Sequence, residues 1–266
     1  MNLKSLAQSL ENICRTTGQF ILSEKDKVRA ADVELKSLNS LVSYVDKTAE
    51  QQLVDALREL LPEAGFITEE DTPTEKADHL NWVIDPLDGT TNFLHGIPCF
   101  AISVALMEKD EVMLGVIYEL GQKEMFTAWK GGGAYMNGKP IRVSTNTEMA
   151  QSLMATGFPY YDFGRMESFL KLLAELFGKT RGVRRLGSAA TDLAYVACGR
   201  FDGFFEYGLS PWDVAAGVVI VREAGGKVSD YSGGDNFIFG GEIIAGSEAL
   251  YQPLLSEIKT HMSSDK

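Results

Sequence analysis

The chain has 266 residues, with 25 Lys and Arg against 37 Asp and Glu, a formal net charge of -12 and 45% hydrophobic residues. That size suits a large core in one domain or two closely packed halves, and the acidic balance argues against binding nucleic acid or an anionic membrane. No apolar run approaches the roughly 20 residues that span a bilayer, the N-terminus lacks a signal-type core, and Cys14, Cys99 and Cys198 are too scattered for a disulfide framework or zinc site; a cytoplasmic protein is expected.

Apolar residues at helical spacing predict helices over residues 1 to about 25 and about 44 to 61, the second carried by Leu53, Ala56, Leu57, Leu60 and Leu61 and stopped by Pro62. Gly65-Phe66-Ile67-Thr68 then reads as a strand end running into Glu69, Glu70 and Asp71. Val83-Ile84-Asp85 repeats that pattern. Pro86 biases Asp85 away from helical geometry, which predicts that the strand stops there and leaves Asp85 and Asp88 on the connecting loop. Gly89-Thr90-Thr91 opens a helical turn. Next come apolar strands at 100–106 and 112–118, joined by the charged turn at 108–111 as an antiparallel hairpin, and two glycine-punctuated strands at 134–136 and 141–143.

From about residue 150 strands and helices alternate: a strand at 153–156, helices at 169–177 and 188–197, a strand at 203–207, a helix at 212–224 closed by Gly225-Gly226, strands at 227–229 and 243–245, and a helix at 250–258. The fold class is therefore α+β in an N-terminal half (1–150) and α/β in a C-terminal half (151–266). The absence of a linker predicts one compact unit.

Asp85 and Asp88 pack two carboxylates beside a glycine and two hydroxyls, without His or Cys. Such hard oxygen donors favour Mg²⁺, and the backbone N–H groups of the turn opened by Gly89, Thr90 and Thr91 attract phosphate. Ser210-Pro211-Trp212-Asp213 has the grammar of a helix start, with Ser as N-cap, Pro at the first position and Asp at the third; its carboxylate can serve both cap and cation. Asp46 also reads as an N-cap. His95 reads as structural.

Glu69-Glu70, the run from Asp85 to Thr91, and Trp212-Asp213 followed by Ala215, Gly217 and Glu223-Ala224-Gly225-Gly226 resemble the inositol monophosphatase family, over a span from Lys36 to Gly226. The resemblance implies a layered αβαβα sugar-phosphatase fold with an antiparallel N-terminal sheet and a mixed C-terminal sheet, dependence on two or three Mg²⁺ ions, inhibition by Li⁺, and a homodimer. Matched by motif, it implies Glu69, Asp85 and the Leu87 carbonyl around one Mg²⁺ and Asp85, Asp88 and Asp213 around a second. Asp85 would bridge. A third, weaker ion is implied near Glu69, with Glu70 outside it.

The implied reaction is hydrolysis of a phosphate monoester, such as inositol monophosphate or a related sugar phosphate, by water activated beside Glu69. Thr90, hydrogen-bonded to Asp46, would orient or deprotonate that water. Gly89, Thr90 and Thr91 would contact the phosphate. Gly187, Ser188, Ala189 and Glu206 would hold the ring with Asp88 and Asp213, although Glu206 reads equally as an exposed strand-end acid. Arg184 and Arg185 either line the pocket of an acidic ligand or lie on the surface, the second being preferred. Ser40 and Ser43 depart from the family pattern and weaken inference about the third ion. Fructose-1,6-bisphosphatase or histidinol-phosphatase activity is the alternative on the same site, Thr91-Asn92 disfavours a nucleotide-directed relative, and a regulatory or binding role is the less favoured class.

Overall fold

The computed structural model describes residues 1–29, 32–37, 40–70, 72, 75–159 and 163–262, so Asp71 lies outside the described residues. The two N-terminal helices form as α1 (Leu3–Glu24) and α2 (Tyr44–Leu60), separated by the hairpin β1 (Val33–Ser37) and β2 (Ser40–Ser43), which the sequence did not announce. A seven-stranded sheet follows in chain order: β3 (Gly65–Thr68), β4 (Leu80–Asp88), β5 (Ala101–Glu108), β6 (Glu111–Glu119), β7 (Glu124–Trp129), β8 (Gly133–Met136) and β9 (Lys139–Pro140). It is antiparallel from β4 onward, and β3 joins its edge in parallel. A short helix, α3 (Thr90–Leu94), follows β4.

The second sheet has the order β11-β10-β12-β14-β13, built from β10 (Leu153–Thr156), β11 (Gly182–Arg184), β12 (Gly203–Tyr207), β13 (Lys227–Ser229) and β14 (Glu242–Gly246). It is mixed, with β10 parallel to β11 and β12, and β14 antiparallel to β12 and β13. Its helices are α4 (Met166–Lys179), α5 (Ala189–Ala197), α6 (Pro211–Glu223) and α7 (Glu248–Met262).

Period-two alternation explains the layering. In β4, Trp82 and Ile84 face a core shared with α1 and α2, whereas Val83 between them faces a second core shared with α5 and α6. Likewise Phe204 and Ala245 point to that second core, while Phe205 and Ile244 point outward to a third, beneath α4 and α7. The stack is thus αβαβα. Residues Val214 to Val221 of α6 are all buried, as a helix between two sheets requires. Fully burying a side chain such as Ile84 or Phe204 contributes about 1.5–3 kcal/mol.

Two expectations change. Residues 141–143 do not form a strand: pairing ends at Lys139–Pro140, and the chain then turns so that Ile141 and Val143 pack on the second core and the Val143 N–H reaches the Ala224 carbonyl (3.2 Å) at the end of α6. β4 does not stop at Asp85 either. It skips Pro86 and Leu87 as an irregularity and pairs again at Asp88 with Ala101. β3 reaches only to Ile84, so Pro86 sits where β4 has lost its neighbour on that side and needs no ladder donor. Among the described residues, no helix is long and apolar enough to cross a membrane.

Candidate active site

The irregularity in β4 places the chemistry. Asp85 precedes it and Asp88 follows it, and the Leu87 N–H closes back onto Asp85 Oδ1 (2.9 Å). Gly89 then adopts φ +91°, and a Cβ built there would lie 3.0 Å from the Cys99 carbonyl oxygen and 3.1 Å from that of Gly187, so glycine is required for both conformation and space. From the turn that follows, Asn92 donates to the carbonyls of Cys99 and Leu186 (2.8 Å each), which ties α3 to the loop before α5.

Asp213 arrives from the second half. Ser210, Pro211 and Asp213 occupy the N-cap, first and third positions of α6, and the Ser210 N–H donates to Asp213 Oδ2 (2.6 Å). At the far end of α6, Gly225 at φ +91° allows the Gly226 and Gly225 N–H groups to bond back to Val221 and Arg222. The cap leaves Asp213 facing β4. One carboxylate oxygen each of Asp85, Asp88 and Asp213 lies within 4.8 Å of the others, and Glu69, following β3, is within hydrogen-bonding reach of Asp85.

Four carboxylates share this small space, and burial with the neighbouring charges raises Asp85, Asp88 and Asp213. Burial, followed by the charges of Glu69, Asp88 and Asp213, pushes Asp85 well above the usual carboxylate range, and burial with the charges of Asp88 and Glu69 does the same to Asp213. Asp88 is pushed up to about 6, chiefly by burial; the Ser188 hydroxyl and the Ala190 N–H, each 2.7 Å from its Oδ2, work against that rise. A hard, oxygen-binding cation fits this donor set, because it offsets the repulsion that burial otherwise leaves unpaid.

The cavity around the cluster measures about 340 Å³. Its walls include Glu69, Asp85, Leu87, Asp88 and Asp213, the turn Gly89-Thr90-Thr91, the segment Gly187-Ser188-Ala189, and Glu206. Asp46 lies behind it. The Thr90 hydroxyl sits 2.8 Å from Asp46 Oδ1 and 3.0 Å from the Leu87 carbonyl oxygen, while Asp46 Oδ2 accepts the N–H and hydroxyl of Ser43 (2.9 and 2.7 Å). Asp46 is therefore the third helical residue of α2, with Ser43 as the N-cap, which corrects its reading as a cap. Burial raises its carboxyl against those hydrogen bonds.

Other expectations resolve as follows. Glu206 is buried, not an exposed strand end, and its carboxyl is pushed well up by burial and by Asp213 and Asp88, with Arg185 opposing. Arg185 lines the cavity over the Phe158 ring (5.4 Å), which overturns its surface reading, whereas Arg184 is exposed. His95 is exposed at the end of α3, and Glu70 is not among the cavity walls. Asp192 was missed: it is buried on α5, Oδ1 has no hydrogen-bond partner, and burial with the charges of Glu206 and Asp88 raises it. Its only signal in the sequence is an acid within the apolar run of the 188–197 helix.

A five-layer fold with a buried carboxylate cluster opening on a cavity lined by the Gly89-Thr90-Thr91 turn is the architecture of a sugar-phosphate phosphatase. The family model described as "Inositol monophosphatase family" matches residues 2–263, and the chain belongs to that family. It is 42% identical to the inositol-1-monophosphatase of Mesorhizobium japonicum over 248 residues, 93% of each chain. It is also 42% identical to Nus factor SuhB of Escherichia coli strain K12 over 250 residues, 94% of each chain. The crystal structure of extragenic suppressor protein suhB from Bartonella henselae superposes with a TM-score of 0.92 at 38% identity, covering 97% of this chain and 100% of that one.

Proposed function

We propose that the protein hydrolyses inositol monophosphate to inositol and phosphate with Mg²⁺, Glu69, Asp85, Asp88, Asp213 and the Leu87 carbonyl holding two or three ions. The observation that carries this reading is the convergence of Asp85, Asp88 and Asp213 within 4.8 Å, beside Glu69, in a cavity that also contains Glu206. Bound Mg²⁺ supplies Lewis-acid neutralisation of the phosphate and leaving oxygen and lowers the pKa of the attacking water. The backbone of Gly89, Thr90 and Thr91 holds the phosphate oxygens. Thr90 donates its proton toward Asp46 Oδ1, so its oxygen lone pair is free to accept from the water that attacks phosphorus as the ester P–O bond breaks. The burial-raised Asp46 carboxyl is suited to receive that proton, and the departing inositol oxygen takes its proton from solvent water.

Glu206, Asp213, Asp88, Gly187, Ser188 and Ala189 hold the polyol, since carboxylates accept hydrogen bonds from adjacent hydroxyls. A Cβ at Gly157 would lie 1.8 Å from Glu206 Oε1. Gly157→Ala therefore displaces the Glu206 carboxylate, and KM for the inositol ester is expected to rise about tenfold while kcat changes little, the equivalent of one charged hydrogen bond. Steady-state kinetics check this; an unchanged KM removes Glu206 from the ring site.

Cytoplasmic location, a homodimer, Li⁺ inhibition, halves at 1–150 and 151–266, and no nucleic-acid partner belong to the same proposal. Its test is phosphate release from myo-inositol 1-phosphate, fructose 1,6-bisphosphate and histidinol phosphate, with Mg²⁺ and with added Li⁺. Li⁺-sensitive release from the inositol ester above the others is expected; preference for another ester moves the substrate and keeps the site. The relatives named Nus factor SuhB support a second reading, a role independent of turnover, and such a role would survive Asp88→Asn.

A further inference from the structure

Helix α2 carries two buried carboxylates one turn apart, and they hold two different parts of the site. Asp46 accepts the Thr90 hydroxyl. Glu50, four residues on and fully buried, accepts the Glu70 N–H at Oε2 (2.7 Å) and the Thr72 N–H at Oε1 (3.0 Å). Both of its oxygens are thus engaged by main-chain donors on either side of residue 71, immediately beyond Glu69. β3 ends at Thr68 and, among the described residues, pairs only with β4, so the sheet ladder does not fix the chain past that point. A rigid carboxylate on a helix does so instead. Residues at i and i+4 project from the same face of a helix, which makes the separation between these two anchors a property of α2 itself.

We propose that Glu50 is a positioning residue for Glu69, and that α2 sets the placement of Glu69 relative to Thr90 through the pair Asp46 and Glu50. The inference rests on the proposed reading of Glu69 as a cation ligand. Gln at position 50 keeps one accepting oxygen but turns an amide NH₂ toward a backbone N–H, so one of the two bonds becomes a clash of donors. Glu69 then loses its fixed approach to Asp85 without losing its own charge.

The test is Mn²⁺ binding followed by electron paramagnetic resonance on substrate-free protein, alongside the Mg²⁺ dependence of phosphate release, for Glu50→Gln, Glu50→Asp and the control Glu69→Gln. Expected for Glu50→Gln is a Mn²⁺ affinity lowered about tenfold, an equal rise in the Mg²⁺ needed for half-maximal release, and kcat at saturating Mg²⁺ within about threefold of wild type. Glu50→Asp, which keeps the charge, serves if the glutamine variant does not fold, and is expected to recover part of the affinity. Wild-type Mn²⁺ affinity in a folded Glu50 variant, with Glu69→Gln weakened, overturns the positioning role. Wild-type Mn²⁺ affinity in Glu69→Gln overturns the ligand reading beneath it.

Discussion

Asp85→Asn is expected to lower kcat/KM by about a thousandfold or more and at the same time to make the cation-free protein more stable. Asp85 is the residue on which the other three acids act: it is buried, it shares a hydrogen bond with Glu69, and the charges of Asp88 and Asp213 raise it further. An amide of the same shape would neither offer a cation the anionic oxygens of a carboxylate nor contribute to the repulsion. Function falls as stability rises.

The pH dependence has a definite sign. Because these acids are raised in the folded state, the native protein binds more protons than the unfolded chain between the usual carboxylate range near 4 and the value of about 6 for Asp88. The contribution of Asp88 is fully present below about pH 4 and is lost as pH rises through about 6, and those of Asp85 and Asp213 are likewise lost as pH rises above the usual carboxylate range. In chelator, the melting temperature of the wild type is therefore expected to fall more steeply than that of Asp85→Asn as pH rises above the usual carboxylate range, and Mg²⁺ at pH 7 should restore the wild type alone. Parallel melting curves for the two proteins would show that the acids do not repel as described.

Thr90→Val is expected to lower kcat about a hundredfold, with KM and Mn²⁺ affinity within about threefold of wild type. Valine nearly matches threonine in shape, so the helical turn is kept while the hydroxyl between Asp46 and the cavity is lost. Asp46 would then lose one of the hydrogen bonds that hold its carboxyl down. Asp46→Asn should damage kcat to a similar degree and also weaken the start of α2, at a cost of about 1 kcal/mol, because the Ser43 N–H loses its charged acceptor. The two substitutions act on one relay, so the double variant should be little worse than either single variant. Additive losses in kcat would separate Thr90 from Asp46 and remove the relay.

Most of the site was legible because its parts are local. The acids at 85 and 88, the glycine at φ +91° and the Ser210-Pro211-Asp213 helix start each declare themselves within a few residues, through turn and capping chemistry that tertiary packing did not override. Apolar runs on either side of a charged turn likewise announced β5 and β6, whereas β7, with its Phe126 and Thr127 between neighbouring strands, was not singled out. What stayed hidden depends on partners distant in the chain. The continuation of β4 past Pro86 depends on where β3 ends, and the failure of 141–143 to pair depends on the end of α6. Glu50 and Arg185 look like ordinary charges on a helix and a loop until Thr72 and Phe158 are brought to them.

The most direct measurement is phosphate release from myo-inositol 1-phosphate by chelator-stripped protein, followed as Mg²⁺ is added back, with wild type and Asp85→Asn side by side. Expected are no release in chelator, full recovery for the wild type on adding Mg²⁺, and no recovery for the variant at any Mg²⁺ concentration. Release that persists in chelator, or that returns in Asp85→Asn at the wild-type rate, would contradict a carboxylate-held cation as the basis of the chemistry.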